Sequence, residues 1–267
     1  MKKKKEKNRH QCYLKKLRRE RYTVKIGQWS ILVVFLLLWQ YTTDKNILDS
    51  FIFSSPKRVV NTVIALGTSK FLWEHVAITF LETIVSFFLT TFVCIFMAVL
   101  LWWQKMLSDV LEPYLVLLNA LPKSALAPLL IVWLGTGMNT IVVAGMSVAI
   151  FGSIIQLYTC FREIDKEKEM LIYTLGGNRR QVLIKVILPG SVPGIISNMK
   201  VNVGLCLVGV VIGEFLAAKR GLGYMIIYGS QVYKLDWVMT AIILLMVMAM
   251  LFYISIDGVS KVLKRSR

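Results

Sequence analysis

The chain has 267 residues, 56% of them hydrophobic and 18% charged, with a formal net charge of +17 and a mean hydropathy of +0.63. This composition excludes an ordinary soluble domain, where charged residues alone make up about a quarter, and predicts an all-α integral membrane protein. The basic residues flank apolar runs, so they read as orienting charges that meet lipid headgroups, and no nucleic-acid partner is predicted.

Residues 1–25 hold twelve Lys and Arg against Glu6 and Glu20. Such a block cannot bury a core and is expected as a basic cytoplasmic N-terminal segment. An apolar run follows to about Tyr41 without a small-residue cleavage site, so it reads as a retained first span and not a cleaved signal. Residues 26–75 then comprise this span and an extracytoplasmic loop, in which Pro56 after Ser54-Ser55 starts a short amphipathic helix.

The second span covers about Val76 to Trp103, with Trp102-Trp103 placed as an interfacial anchor. Glu82 lies inside it. A carboxyl group there is costly, and it predicts either a functional role, an inter-helix partner or a position near the outer interface. A third apolar segment, Leu115 to Leu134, is broken by Leu-Pro-Lys-Ser-Ala-Leu-Ala-Pro, which places Pro122, Lys123 and Pro128 inside it. Freed backbone groups at such a break persist where neighbouring helices or a water-lined cavity satisfy them, so this helix reads as pathway-lining. The fourth span, about Thr140 to Thr159, carries small residues such as Ala144 and Gly145 for close helix contact. The fifth, about Gly194 to Ala217, holds Lys200 and Glu214. A polar hairpin or re-entrant turn with Gly221 and Gly223 precedes the sixth, about Val238 to Asp257. Residues 261–267 form a basic tail.

With the N-terminus inside, inner segments carry twenty-three basic residues and outer segments seven. The positive-inside rule therefore predicts six spans with both termini, and the charged loop 163–193, in the cytoplasm. That loop reads as two short helices around Gly176-Gly177. Asn178 and Gln181 fit a capping box, and the second helix is expected to run from Arg179 to Leu188 and stop at Pro189. Val182 with Val186, and Leu183 with Ile187, share faces that would need a partner surface if exposed.

Cys12, Cys94, Cys160 and Cys206 are far apart and lack metal-ligand spacing, so no metal site is predicted. His10 and His75 are also far apart, and no paired-carboxylate or nucleophile motif supports an enzyme. No Walker A sequence occurs, so the chain is expected to carry no cofactor and hydrolyse no ATP itself.

Thr174-Leu-Gly-Gly-Asn-Arg-Arg-Gln, with Val186-Ile-Leu-Pro and then Pro193, resembles the "EAA" loop of ABC importer permeases. Gly176, Pro189 and Pro193 keep the family spacing, whereas Met170, Leu171 and Ile172 replace its Glu-Ala-Ala and Glu169 falls one residue early. Leu121-Pro-Lys-Ser-Ala-Leu-Ala-Pro-Leu with Trp133-Leu-Gly, and Gly213-Glu-Phe-Leu-Ala-Ala with Gly221-Leu-Gly-Tyr, are similar to segments of the nitrate/sulfonate/taurine subfamily. The resemblance implies a type I permease fold, with residues 76–260 as a core of five spans. It also implies a multi-pass subunit of the bacterial cell membrane, used as two copies. Its partners would be two ATPase subunits that bind ATP and an extracellular solute-binding protein. The implied solute is a small sulfonate-, nitrate- or taurine-like anion, or a thiamine or pyrimidine precursor. Glu82 stands where many relatives carry a basic residue. The resemblance places coupling to the ATPase at Glu169, Gly176, Gly177, Asn178, Arg179, Arg180 and Pro189. The residue chemistry within the spans leaves a second reading, an ion-coupled secondary transporter with Glu82, Lys123, Lys200 and Glu214 as a relay.

Overall fold

The computed structural model describes residues 19, 22–24, 26–27 and 30–265, with side chains of the last four left aside. Most of the basic segment 1–25, and the side chains of the basic tail beyond Lys261, lie outside the described residues. The described residues contain helices and short connections, and no strand. The chain divides into two units, Met1–Thr62 and Val63–Arg267.

In the first unit, α1 (Ser30–Asp44) presents exposed apolar side chains from Ile31 to Leu38. Residues 22–24 and 26–27 before it are also helical. A turn leads to α2 (Ser50–Phe53), whose Asp49 cap accepts from the Phe51 amide at 2.8 Å. Pro56 opens α3 (Pro56–Gly67), as its fixed φ and missing N–H favour at a first helical position.

The second unit holds α4 (Lys70–Trp103), α5 (Lys105–Ala120), α6 (Lys123–Leu134), α7 (Met138–Arg162), α8 (Lys166–Thr174), α9 (Arg179–Val182), α10 (Leu188–Ala217), α11 (Leu222–Gln231) and α12 (Leu235–Arg265). Among the described residues, four helices are long and apolar enough to cross a membrane. The bent pair α5 and α6, at 96° to each other, makes a fifth if taken as one broken span. The break sits at Leu121-Pro122, where proline cannot continue the α5 hydrogen-bond ladder.

α7 lies against both α4 and α10. Small residues allow the approach: a Cβ on Gly209 of α10 would sit 2.7 Å from the Ala144 carbonyl oxygen of α7. Between helices in lipid, such close packing and polar contacts replace the hydrophobic drive of water-soluble cores. Ser153 of α7 donates to Asn202 of α10, Asn202 donates to Asn198 at 2.8 Å, and Asn198 donates to Gln156 at 2.8 Å. Phe88 and Phe92 of α4, with Met250 and Leu251 of α12, remain exposed on the outside, as lipid-facing apolar residues do.

One boundary differs from expectation. Pro189 does not stop the helix that begins at Arg179. A π-helical turn, Leu183–Ile187, joins α9 to α10, and residues Arg179–Ala217 run as one 39-residue helix. The wider turn shifts the hydrogen-bond register, and Pro189 falls in the first turn of α10, where a missing N–H costs little.

Candidate functional site

The connection from α7 to α10 contains a built hinge. Asp165 caps α8 by accepting from the Glu167 amide at 3.0 Å. At its other end, the Gly177 amide donates to the Ile172 carbonyl at 2.8 Å and the Gly176 amide to the Tyr173 carbonyl at 3.0 Å. This nested pair is a Schellman cap, which needs a left-handed residue at its centre, and Gly176 has φ +77°. Gly177 is constrained by space instead: a Cβ there would lie 2.5 Å from Ile172 Cγ2 and 2.7 Å from the Ile172 carbonyl oxygen. The chain then restarts through the expected capping box. Asn178 Oδ1 accepts from the Gln181 amide at 3.0 Å, and Gln181 Oε1 accepts from the Asn178 amide at 3.0 Å.

The apolar face of α9 and the π turn is used inside the chain. Val182, Leu183 and Ile187 are buried with Leu101, Leu157 and Phe161, so the expected exposed face is absent there. Sequence periodicity finds such a face and cannot say what covers it. The apolar residues that are exposed lie mainly one element earlier: Met170 (68%), Leu171, Tyr173 and Leu175 (76%), joined by Ile184. Glu169 is half-buried beside Met170. Arg179 adds a contact absent from the sequence reading. Its guanidinium donates to the Trp102 carbonyl at 3.0 Å and lies 5.3 Å from the Trp102 ring and 5.6 Å from the Trp103 ring. It thereby satisfies one of the orphan carbonyls at the end of α4. Arg180 is exposed.

A second polar cluster forms where α10 turns into α11. Glu214, at the end of α10, is fully buried. Its Oε1 accepts from Thr79 Oγ1 at 2.6 Å and its Oε2 from the Gly223 amide at 2.5 Å. Thr79 Oγ1 in turn accepts from the Leu222 amide at 2.7 Å, and His75 Nδ1 accepts from the Gly221 amide at 2.8 Å. Three successive amides of the turn are thus held by side chains of α4 and α10. Gly221 has φ +110°, and a Cβ on it would run into Glu214 Oε1. Glu82, one turn beyond Thr79 on α4, lies beside Glu214.

Of the predicted pathway residues, the fold brings together only Glu82 and Glu214. Lys123 Nζ donates to the carbonyls of Leu118 at 2.5 Å, Asn119 at 2.8 Å and Leu121 at 3.0 Å, closing the end of α5. Pro122 precedes the first residue of α6, and Pro128 lies within it. Lys200 pairs with Asp257 of α12 at 2.5 Å, and Lys261 pairs with the same carboxylate at 2.7 Å. Lys200 sits about 21 Å along α10 from Glu214, by the rise of 14 residues. His75, Thr79 and Asp257 were missed by sequence reasoning. The partners of His75 and Thr79 lie far away in the chain, so their only local signal was a polar residue at an apolar position; Asp257 pairs both with Lys200 of α10 and with Lys261 one turn on in its own helix.

A buried carboxyl cluster and a twice-capped connection fused to a long apolar helix are the features that the chain brings to a comparison with known proteins. Residues 90–267 match the model of the binding-protein-dependent transport system inner membrane component family. The chain is 30% identical to a probable ABC transporter permease protein of Haemophilus influenzae, over 85% of this chain and 92% of that one. It is 24% identical to the taurine transport system permease protein TauC of Escherichia coli, over 90% and 88% of the two chains. It is 25% identical to the formylaminopyrimidine transport permease protein ThiX of Halalkalibacterium halodurans, over 72% and 76%. The fold is similar to a chain of the inward-facing MetNI methionine ABC transporter, with a TM-score of 0.64 at 19% identity, covering 72% of this chain and 96% of that one. The protein belongs to the binding-protein-dependent transport system inner membrane component family. It is a permease subunit of an ABC importer, with the type I importer fold.

Proposed function

We propose that this permease works as one of two identical copies, each docked by its α8–α9 hinge on an ATPase subunit in the cytoplasm. An extracellular binding protein delivers a small solute to the opposite face. ATP is bound and hydrolysed by the partner, and this chain carries no cofactor. The observation that supports the reading most strongly is the continuity of α9 with α10. A partner that shifts the hinge moves a 39-residue helix as one lever, so closure of the ATPase pair biases the pathway between its two states. The exposed Met170, Leu171, Tyr173 and Leu175 supply the apolar contact, with Glu169 and Arg180 at its side. Pro189 lets the lever pass through the π turn without an unsatisfied amide. The excess of basic residues on these segments supports their cytoplasmic placement. Relatives named for taurine, sulfonates and formylaminopyrimidine support a small polar solute.

The ion-coupled reading needs a linked series of titratable groups across the membrane. Lys123 and Lys200 are engaged elsewhere, which leaves Glu82 and Glu214 without that series. Affinity purification of the tagged permease from its native membrane tests the proposal. An ATPase subunit should co-purify and hydrolyse ATP faster when the loaded binding protein is added. A chain that purifies without any ATPase and drives uptake from an ion gradient alone would contradict it.

A further inference from the structure

Where α4 ends and α5 begins, a cavity of about 290 Å³ opens against the last turns of α7. Leu101, Leu115 and Tyr158 form part of its wall and are buried. Glu112, Arg162 and Glu163 line the same cavity and are exposed, so they stand at its mouth. The Arg162 guanidinium lies 5.7 Å from the centre of the Tyr158 ring, which holds it over that wall. One cation and two carboxylates thus share a rim, and among the described residues no ion pair engages any of them. Their hydrogen-bonding capacity is left to water or a ligand. The cavity also sits at a defined depth. Leu101 immediately precedes Trp102-Trp103, the aromatic pair that ends α4, and Arg162 ends α7. Lipid headgroups lie at the level of such an aromatic anchor.

We propose that this cavity is a phospholipid site selective for a primary ammonium beside a phosphate, the headgroup of phosphatidylethanolamine. The Arg162 fork takes the phosphate. Glu112 and Glu163 take the ammonium, whose three N–H groups suit two acceptors. Both signs are needed. Phosphatidylglycerol is anionic and would meet two carboxylates against one guanidinium, whereas phosphatidylcholine has no N–H to donate to either carboxylate. The wall of Leu101, Leu115 and Tyr158 receives part of an acyl chain. The volume is just under the ~300 Å³ at which small-molecule pockets begin, so it holds a segment of the lipid and not the whole molecule. No bond is made or broken. The site requires that α4 and α7 span the membrane, and it is independent of solute and ATPase. Only the leaflet follows from the orientation proposed above.

The test is native mass spectrometry of the permease, purified with its accompanying subunits and stripped of lipid by detergent exchange. Bound ligand is counted during titration with phosphatidylethanolamine, phosphatidylcholine and phosphatidylglycerol of one chain length, and with phosphoethanolamine, the headgroup without chains. One phosphatidylethanolamine per permease copy should be held at least ~10-fold more tightly than either other lipid, the effect of about one charge-assisted hydrogen bond, and at least ~10-fold more tightly than phosphoethanolamine. Arg162→Gln should remove that tight site, and Arg162→Lys should retain part of it. Glu112→Gln combined with Glu163→Gln should erase the preference over phosphatidylglycerol. These side chains are exposed, so the fold should survive, and an unchanged subunit mass verifies it in the same spectra. Equal binding of the three lipids, no tight lipid at all, or an undiminished site in Arg162→Gln would overturn the proposal. Phosphoethanolamine bound as tightly as the lipid would overturn it too, by making the ligand a soluble one.

Discussion

At the residue scale, the turn between α10 and α11 depends on two small groups. Gly221 combines φ +110° with direct contact to Glu214. Gly221→Ala must strain the backbone and displace a buried carboxyl group, so it should destabilise the protein by roughly 2–4 kcal/mol. Gly258→Ala is the control, because nothing lies within 4 Å of a Cβ there. Thermal denaturation in detergent should show a clear drop for the first variant and little change for the second; equal midpoints would contradict the account. Thr79 donates to Glu214 and accepts from the Leu222 amide. Thr79→Val keeps the shape and removes both bonds, at a cost of roughly 2–4 kcal/mol from two stranded buried groups. Thr79→Ser should recover most of the loss. A Val variant as stable as the Ser variant would show that the hydroxyl is idle. Glu82 and Glu214 were each legible in the sequence as costly intramembrane carboxyls. Their contact was not, because 132 residues separate them and no local pattern encodes which faces of α4 and α10 meet.

At the element scale, the hinge shows which signals carry from sequence to structure. The Asn178–Gln181 capping box and the Gly176-Gly177 break were readable because their hydrogen bonds close within six residues. The expected stop at Pro189 was wrong because the rule that proline ends a helix assumes an unbroken α register, and the π turn changes it. The burial of Val182 and Ile187 was also illegible, since it is supplied by α4, α5 and α7. Arg179 joins the hinge to the end of α4, so under the proposed function a displaced hinge would pull on two helices. Arg179→Ala should leave ATP hydrolysis within about two-fold while uptake falls several-fold, because it loosens positioning and not partner docking. The ratio of solute carried to ATP consumed, measured in proteoliposomes, checks this. An unchanged ratio would restrict the lever to α10.

At the scale of the whole molecule, the described residues give four spans, or five with the bent pair, and one shorter apolar helix. The sequence count of six rested on apolar runs; four of these coincide with α4, α7, α10 and α12 apart from their ends, whereas Leu115–Leu134 straddles the 96° bend between α5 and α6. α4, for example, begins at Lys70 and not Val76, and Leu72 and His75 of its first turns pack inside the fold. Orientation came from charge alone. A single cysteine at Asn178, in a variant lacking Cys12, Cys94, Cys160 and Cys206, should react with an impermeant maleimide only in inverted vesicles. Labelling in intact cells would invert the topology. The central claim is that the α8–α9 hinge transmits ATP-driven motion to α10, and Gly176 is its most exacting point. Proline cannot adopt φ +77°, whereas asparagine tolerates the left-handed region. The decisive measurement is ATP-dependent uptake of the solute that the binding protein delivers. Gly176→Pro should reduce it at least ~10-fold with the protein still inserted, a loss of about 1.4 kcal/mol of coupling, and Gly176→Asn should retain most of it. Wild-type uptake by Gly176→Pro would contradict the account.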